Sequence, residues 1–307
     1  MGHALVTKLW AENKHVIAGV RHKSSLFDSE LKQFELGDLT STGSVLSDLA
    51  NVDVLVHAAA RVHIMNEASD LDPLTEFRKV NTASTLNLAR QAADQGVRRF
   101  IFISSVKVNG ERTIAGMPFR PTDDDIPTDP YGLSKYEAEQ GLLELADETG
   151  MEVVIIRPPL IYGPNVKANF ASMLKWVSKG IPLPFGSVTH NKRSLIALEN
   201  LADFIVHCID HPKAANEVFL ISDGEDVSTT ALFEKVANAF GKKPHLLPVP
   251  VSLMTFSAAL IGKKVVADRL FGSLQVDSSK AGDLLDWKPV ITMDEQLKKT
   301  AEAYIKK

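Results

Sequence analysis

Phe100-Ile101-Phe102-Ile103-Ser104, a helical stretch over 131–149, and then Glu152-Val153-Val154-Ile155-Ile156-Arg157 read as two short strands joined by a helix. Neither strand alternates apolar with polar residues, so both faces must be covered, as in a parallel sheet with helices on either side. Working outward toward the N-terminus, the same alternation continues through a helix near 84–95 and the strand Val52-Asp53-Val54-Leu55-Val56-His57. Before these come a helical stretch from about Ser44, the strand His15-Val16-Ile17-Ala18-Gly19-Val20 and an amphipathic segment at 3–13. Toward the C-terminus the texture breaks after Arg157 into Pro158-Pro159, Gly163-Pro164, Pro182, Pro184 and Gly186. Helical stretches at 199–211 and 229–240 then bracket the strand Glu217-Val218-Phe219-Leu220-Ile221. The pattern predicts an α/β fold with a doubly wound parallel sheet of the Rossmann type over 1–157 and 191–222. A smaller interwoven α/β lobe is expected over 158–190 and 223–307. Ligands of such sheets sit outside the carboxyl ends of the strands, here in the cleft between lobes.

The 307 residues are 45% apolar and 23% charged, the balance of a globular chain rather than a disordered one. A net charge of −4 leaves no basic footprint, so neither nucleic acid nor an anionic membrane is expected as main partner, and the substrate should be a small molecule. The single cysteine, Cys208, rules out an internal disulfide and a Cys-based metal site; no metal is expected, and the location is read as cytoplasmic. No apolar run approaches the roughly 18 residues that span a bilayer, and no internal repeat marks a further boundary.

The chemistry concentrates in Tyr131-Gly132-Leu133-Ser134-Lys135, which follows Asp129-Pro130 and opens a helical pattern. Residues four apart share a helix face, so the Lys135 ammonium should lie near the Tyr131 phenol. A phenol is a poor base at neutral pH, and a neighbouring cation brings it toward the working range. Ser104-Ser105 end an apolar strand at the sheet edge where ligands bind, and a hydroxyl at Ser105 can hold a substrate oxygen for Tyr131. Asp38-Leu39 after a strand, Ala58-Ala59-Ala60 after His57, and Asn81 within Val80-Asn81-Thr82 complete the set.

With these residues in place the chain resembles the extended short-chain dehydrogenase/reductases, in particular the nucleotide-sugar epimerase/dehydratase family, along essentially its whole length. The resemblance implies Ser105, Tyr131 and Lys135 as the catalytic triad, with Lys135 also on the nicotinamide ribose of NAD or NADP. It implies Asp38 and Leu39 beside the adenine, and Ala58, Ala59, Ala60 and Ser104 along the cofactor. Asn81 takes either a structural or a cofactor-side role. Family members open with an apolar strand and a glycine-rich loop that seats the pyrophosphate on a helix N-terminus. Gly2 resembles the last glycine of that loop, so the sheet is expected to lack its central strand and to leave strand edges unpaired, with little activity expected from these 307 residues alone. Arg21, in Val20-Arg21-His22-Lys23, leans toward NADP, with NAD kept open.

On the substrate side the resemblance implies Asn169 at a helix start and Phe185, in Pro184-Phe185-Gly186, beside the uracil of a UDP-sugar. Arg193, and less strongly Arg269, are implied on the diphosphate, which a guanidinium meets with paired donors. Leu160 stands where many 4-epimerases carry Asn, and Val106-Lys107 where 4,6-dehydratases carry an acidic pair, which disfavours water elimination. His63 and Cys208 are read as structural. Chemistry at C4 of a UDP-hexose or UDP-N-acetylhexosamine is expected, of the UDP-glucose 4-epimerase kind. The alternatives are a one-way reductase of a UDP-4-keto-6-deoxy-amino sugar in surface polysaccharide synthesis and a non-catalytic nucleotide-binding protein on the same fold. A homodimer through the helices near 71–95 and 131–149 is a further expectation.

Overall fold

A computed structural model describes residues 1–37, 40, 49–62, 72–114, 116–166, 168–262 and 264–306, leaving aside the side chains of 168, 169 and 265. The expected helical stretch from Ser44, and the positions Asp38, Leu39 and His63, therefore lie outside the described residues, apart from the helix's last turn.

At the centre is a parallel four-stranded sheet in the order β3 (Val54–His57), β4 (Arg99–Ile103), β5 (Glu152–Arg157), β8 (Glu217–Leu220). Side chains alternate across it, which is why strands this apolar need cover on both faces. Phe100, Phe102, Val153 and Ile155 point to the face covered by Leu88, Ala89 and Ala92 of α3 (Ser84–Asp94) and Ala138, Leu142 and Leu145 of α4 (Pro130–Thr149). Ile101, Ile103, Val154 and Ile156 point to the other face, packed by Leu5 and Leu9 of α1 (Gly2–Ala11) and by Leu201, Phe204, Ile205 and Cys208 of α6 (Leu198–Asp210). Ala281 and Leu285 of α10 (Ser279–Leu285) and Trp287 join this second face, although they lie beyond residue 223, where the smaller lobe was expected to resume.

Two buried arginines, each paired with a carboxylate, hold the sheet to its surroundings. Arg99 bonds Glu152 at 2.7 Å and the carbonyls of Cys208 and His211 at the end of α6. Arg157 meets Glu139 of α4 at 2.6 Å, with both side chains almost wholly buried. Charges this deep are tolerable because each is paired and hydrogen-bonded.

β1 (Ile17–Val20) and β2 (Lys32–Glu35) form their own parallel pair, and β6 (Leu160–Tyr162) pairs with β7 (Leu195–Ala197). Among the described residues no ladder joins β1 to β3, so the sheet is in two pieces where the sequence leads one to expect a gap. A further cluster of buried side chains draws on α5 (Ala168–Ser178), α7 (Thr229–Ala239) and α11 (Met293–Ile305), with Phe170, Phe185, Phe233, Val236 and Leu297 among its members. Two further helices, α8 (Val251–Leu260) and α9 (Lys264–Phe271), pack against each other beside it. The short helix α2 (Pro73–Phe77), with Asp72 as its cap, runs into a π-helical turn, Arg78–Ala83, that leads into α3.

Candidate active site

Two chain breaks bring the three candidate residues together. Beyond β4 the strand ends at Ser104, and Ser105 caps a 3-10 turn, Val106–Val108, by accepting a hydrogen bond from the Lys107 amide at 3.2 Å. Asp129 caps α4 by accepting from the Gly132 amide at 2.8 Å, and Pro130 fixes the first turn, which carries Tyr131. Gly132 is there for space: a Cβ on it would lie 2.6 Å from the Lys107 carbonyl oxygen, so only glycine lets α4 come this close to the turn after β4. The Ser105 hydroxyl thereby comes close enough to the Tyr131 phenol to bear on its protonation.

Burial pushes the Tyr131 phenol above its ordinary pKa; the Ser105 hydroxyl works against this, and the Asp129 carboxylate adds to it. Its ring meets Phe77 edge-on at 5.7 Å, and the Lys107 ammonium lies 6.0 Å from its centre, tied to Glu111 at 2.8 Å and Asp129 at 3.1 Å. Lys135, one helical turn along, is buried, donates to the Ile103 carbonyl at 2.9 Å and stands 4.2 Å over the Phe102 ring. Burial brings it down to about 7, against a smaller upward pull from Glu139.

The expectation that Lys135 depresses the phenol is not met in this state. Lys135 has lost much of its own charge to burial and points at a carbonyl, so desolvation governs Tyr131. At pH 7 the phenol is neutral and Lys135 stands near the midpoint of its own titration, so either group can change charge in response to the other.

The remaining candidates differ in whether the protein itself already occupies their side chains. Ser104 Oγ is buried and has no hydrogen-bond partner among the described residues, which leaves a donor and acceptor beside Lys135 for a bound group. Ala59 and Ala60 are exposed past the end of β3, and Ala58 is half-buried. Gly2 opens α1, whose first turn is joined to the loop after β1 by His3, through the Leu26 carbonyl and the Phe27 ring; Arg21 is exposed on that loop. These features fit a nicotinamide dinucleotide: a hydroxyl unpartnered among the described residues and a lysine at one end, exposed alanines along the middle, and a helix start with a basic loop at the other.

Asn81 has its amide occupied by the protein. It accepts from the Arg61 amide at 2.8 Å and donates to the Arg61 carbonyl and Ser134 Oγ, each at 3.1 Å. Of the two roles expected, the hydrogen bonds give it the structural one: the π-helical turn aims Asn81 so that it clamps the segment after Ala58–Ala60 to α4. Phe185 is turned inward, stacked on Phe233 at 4.9 Å within the smaller lobe's core, so its ring is committed to packing rather than to a ligand. Asn169 lies in the first turn of α5, and its side chain is outside the described atoms.

Arg193 and Arg269 do come together. Arg193 donates to the carbonyls of Arg269 at 2.6 Å and Gly272 at 3.2 Å, and burial, then the neighbouring Arg269 charge, lowers its pKa. Arg269 in turn holds Glu111 at 2.9 Å. Arg269 shares Glu111 with Lys107, and Arg193 bonds only backbone carbonyls among the described residues, so the two guanidiniums have charge to spare for an anion.

Sequence reasoning passed over His57, Glu139 and Gly132. His57 is buried between Thr85, 3.1 Å from its Nε2, and the Phe102 ring, and burial with the Lys135 charge takes it down to about 3, so it is a neutral spacer under the site. Each of these roles depends on a partner distant in sequence. Cys208 is buried and pushed up to about 12, an inert thiol as expected.

Residues 1–222 match the family described as the NAD dependent epimerase/dehydratase family. The chain belongs to that family. A UDP-glucose 4-epimerase of Vibrio cholerae is 52% identical over 306 residues, covering 99% of this chain and 92% of that one. The N-acetyl-alpha-D-glucosaminyl-diphospho-ditrans,octacis-undecaprenol 4-epimerase of Escherichia coli O157:H7 is 29% identical over 245 residues, 78% of this chain and 70% of that one. Among solved structures, the UDP-glucose 4-epimerase of Thermus thermophilus in complex with NAD superposes with a TM-score of 0.77 at 19% identity, over 99% of this chain and 95% of that one.

Proposed function

We propose that this family member interconverts the C4 epimers of a UDP-hexose or UDP-N-acetylhexosamine, as a UDP-glucose 4-epimerase does, with NAD as its resident cofactor. The observation that carries the reading is the placement of Ser105 against Tyr131 at the carboxyl end of β4, with Lys135, brought to about 7, one helical turn along. When bound, NAD supplies a site that takes a hydride from C4 and gives it back.

The protein's own residues manage the proton and the geometry. Tyr131 takes the proton of the C4 hydroxyl as the carbonyl forms and returns it when the alcohol is restored, while Ser105 holds the same oxygen. Lys135, free to become an ammonium near neutral pH, stabilises the phenolate that this transfer creates. Arg193 and Arg269 hold the diphosphate and leave the sugar to turn between its two faces. Lys135, Ser104 and the backbone of Ala58–Ala60 hold the nicotinamide half of the cofactor, and the start of α1 at Gly2 takes the pyrophosphate.

The test is stoichiometric. Purified protein incubated with UDP-glucose and no reduced cofactor is expected to yield UDP-galactose, or the corresponding pair of N-acetylhexosamines, to equilibrium. Consumption of one NADH or NADPH per 4-keto sugar, with no interconversion, overturns the reading in favour of a one-way reductase. A homodimer through the outer faces of α3 and α4 is part of the same reading and is checked by mass in solution.

A further inference from the structure

Helix α8 carries no charged residue, and its sequence, Val251-Ser252-Leu253-Met254-Thr255-Phe256-Ser257-Ala258-Ala259-Leu260, is apolar on both sides. Val251 and Met254 pack against the smaller lobe's core. Leu253, Phe256 and Leu260, at i, i+3 and i+7, share another face, and they are 54%, 63% and 72% exposed, with Ile261 at 71% just beyond. Scattered exposed apolar residues are ordinary; a helical stripe of them is not.

The helix also needs little water for its polar atoms. Thr255 and Ser257 each donate their hydroxyl back to the helix, to the carbonyls of Val251 and Leu253 at 2.9 Å. Around the stripe the charge is one-sided. Between Glu234 and Asp268 there is no acidic residue, and Lys242-Lys243 and Lys263-Lys264 bracket α8 on either side. Lys243 and Lys264 are exposed. The whole-chain charge of −4, which argued against an anionic membrane as partner, averages over this segregation.

An exposed apolar stripe on a helix with self-satisfied hydroxyls, followed at both ends of the segment by lysines, is fit to enter a lipid interface beside anionic headgroups. We propose that α8 docks this protein on an anionic phospholipid surface, the Leu253–Phe256–Leu260 stripe entering the headgroup boundary and the exposed Lys243 and Lys264 meeting lipid phosphates. Because α9, which carries Arg269, packs on α8, the docked molecule presents the arginine end of its cleft close to that surface. The inference does not depend on the epimerase reading, and either stands if the other fails.

The test uses the full chain and sucrose-loaded vesicles of phosphatidylethanolamine and phosphatidylglycerol, with pure phosphatidylcholine vesicles as control. Sedimentation with the anionic vesicles is expected, weakened by high salt and by Lys242→Gln/Lys243→Gln. Phe256→Ser/Leu260→Ser should weaken it by roughly tenfold or more while turnover of a soluble nucleotide sugar and the melting temperature stay unchanged. No sedimentation with anionic vesicles, or equal sedimentation of the parent and the serine variant, overturns the proposal. So does a doubled mass in solution that the serine variant loses, which would make a second copy of the chain the occupant of the stripe.

Discussion

β4 with β5 and β1 with β2 are both parallel strand pairs, yet only the first is sealed. Every residue of β4 is buried, and so is β5 apart from Glu152 at its start, whereas β1 buries only Ala18 and β2 buries nothing. The sealed pair also has ion pairs at both ends, Arg99 with Glu152 and Arg157 with Glu139. Ser105, Tyr131 and Lys135 stand on the sealed pair; Arg21 stands on the open one. A local opening of β1 and β2 exposes little apolar surface, so it should cost far less than opening β4 and β5. In the proposed reading the acid/base residues therefore rest on the more deeply buried strand pair, and the cofactor's adenosine end falls to the more open one.

The sharpest way to break this comparison is at Tyr131. Tyr131→Phe removes a hydroxyl from a partly buried ring and leaves the packing on Phe77, so turnover is expected to fall by about 10²–10⁴-fold while the melting temperature barely moves. Steady-state rates and a thermal scan of the same preparation check it; a parallel loss of stability would mean that the site and the scaffold are not separable.

Stability itself is the next largest effect, and it should be unequal between the two halves. Glu139→Gln leaves the Arg157 guanidinium buried without its counter-charge and is expected to cost about 3–5 kcal/mol in urea unfolding. Leu31→Ala, beside β2, removes a buried side chain from the open half and should cost about 2 kcal/mol, the low end of such truncations, with kcat for bound substrate unchanged. Equal costs would say that β1 and β2 are as tightly integrated as β4 and β5.

Gly132→Ala probes the seam between α4 and the turn after β4. A methyl group 2.6 Å from the Lys107 carbonyl must push the two apart, and a misplacement near 1 Å between Ser105 and Tyr131 costs about 10²-fold in kcat. Since the displaced turn is short, the stability loss should stay near 1 kcal/mol. Turnover that survives would show that the present placement of Ser105 against Tyr131 is not needed.

What the sequence shows of this arrangement follows from how local each signal is. The strands at 54–57, 99–103, 152–157 and 217–220 were legible because an uninterrupted apolar run between helices has few other readings, and Tyr131 with Lys135 because a four-residue spacing is a helix face. Ser105 was legible from its place at a strand end. β6, β7, α8 and α9 were not, because they lie among prolines and in a segment whose apolar residues do not keep one period. Phe185 was assigned to the ligand on resemblance, and only the tertiary fold shows Phe233 claiming its ring. Glu139 looked like one more surface carboxylate on a long helix; its buried partner Arg157 ends a strand on the far side of the helix's C-terminal turn.

The smallest expected effect is the most diagnostic of the sealed half, because it concerns the charge of a single buried group. Lys135 titrates near 10.5 in the unfolded chain and near 7 in the fold, with desolvation the leading cause. Between those values the unfolded chain holds a proton that the folded chain lacks. Stability from this group therefore rises with pH from about 7 toward 10.5 and lies on its low plateau below 7. Lys135→Met should then be the more stable protein at pH 6, by about 1–2 kcal/mol, even though it loses the bond to the Ile103 carbonyl and its activity. The advantage should shrink as pH rises to 9, since the parent gains what the variant cannot. A gap that stays constant across that range would mean that the lysine keeps its charge in the fold, and that it is the ammonium, already formed, that waits beside Tyr131.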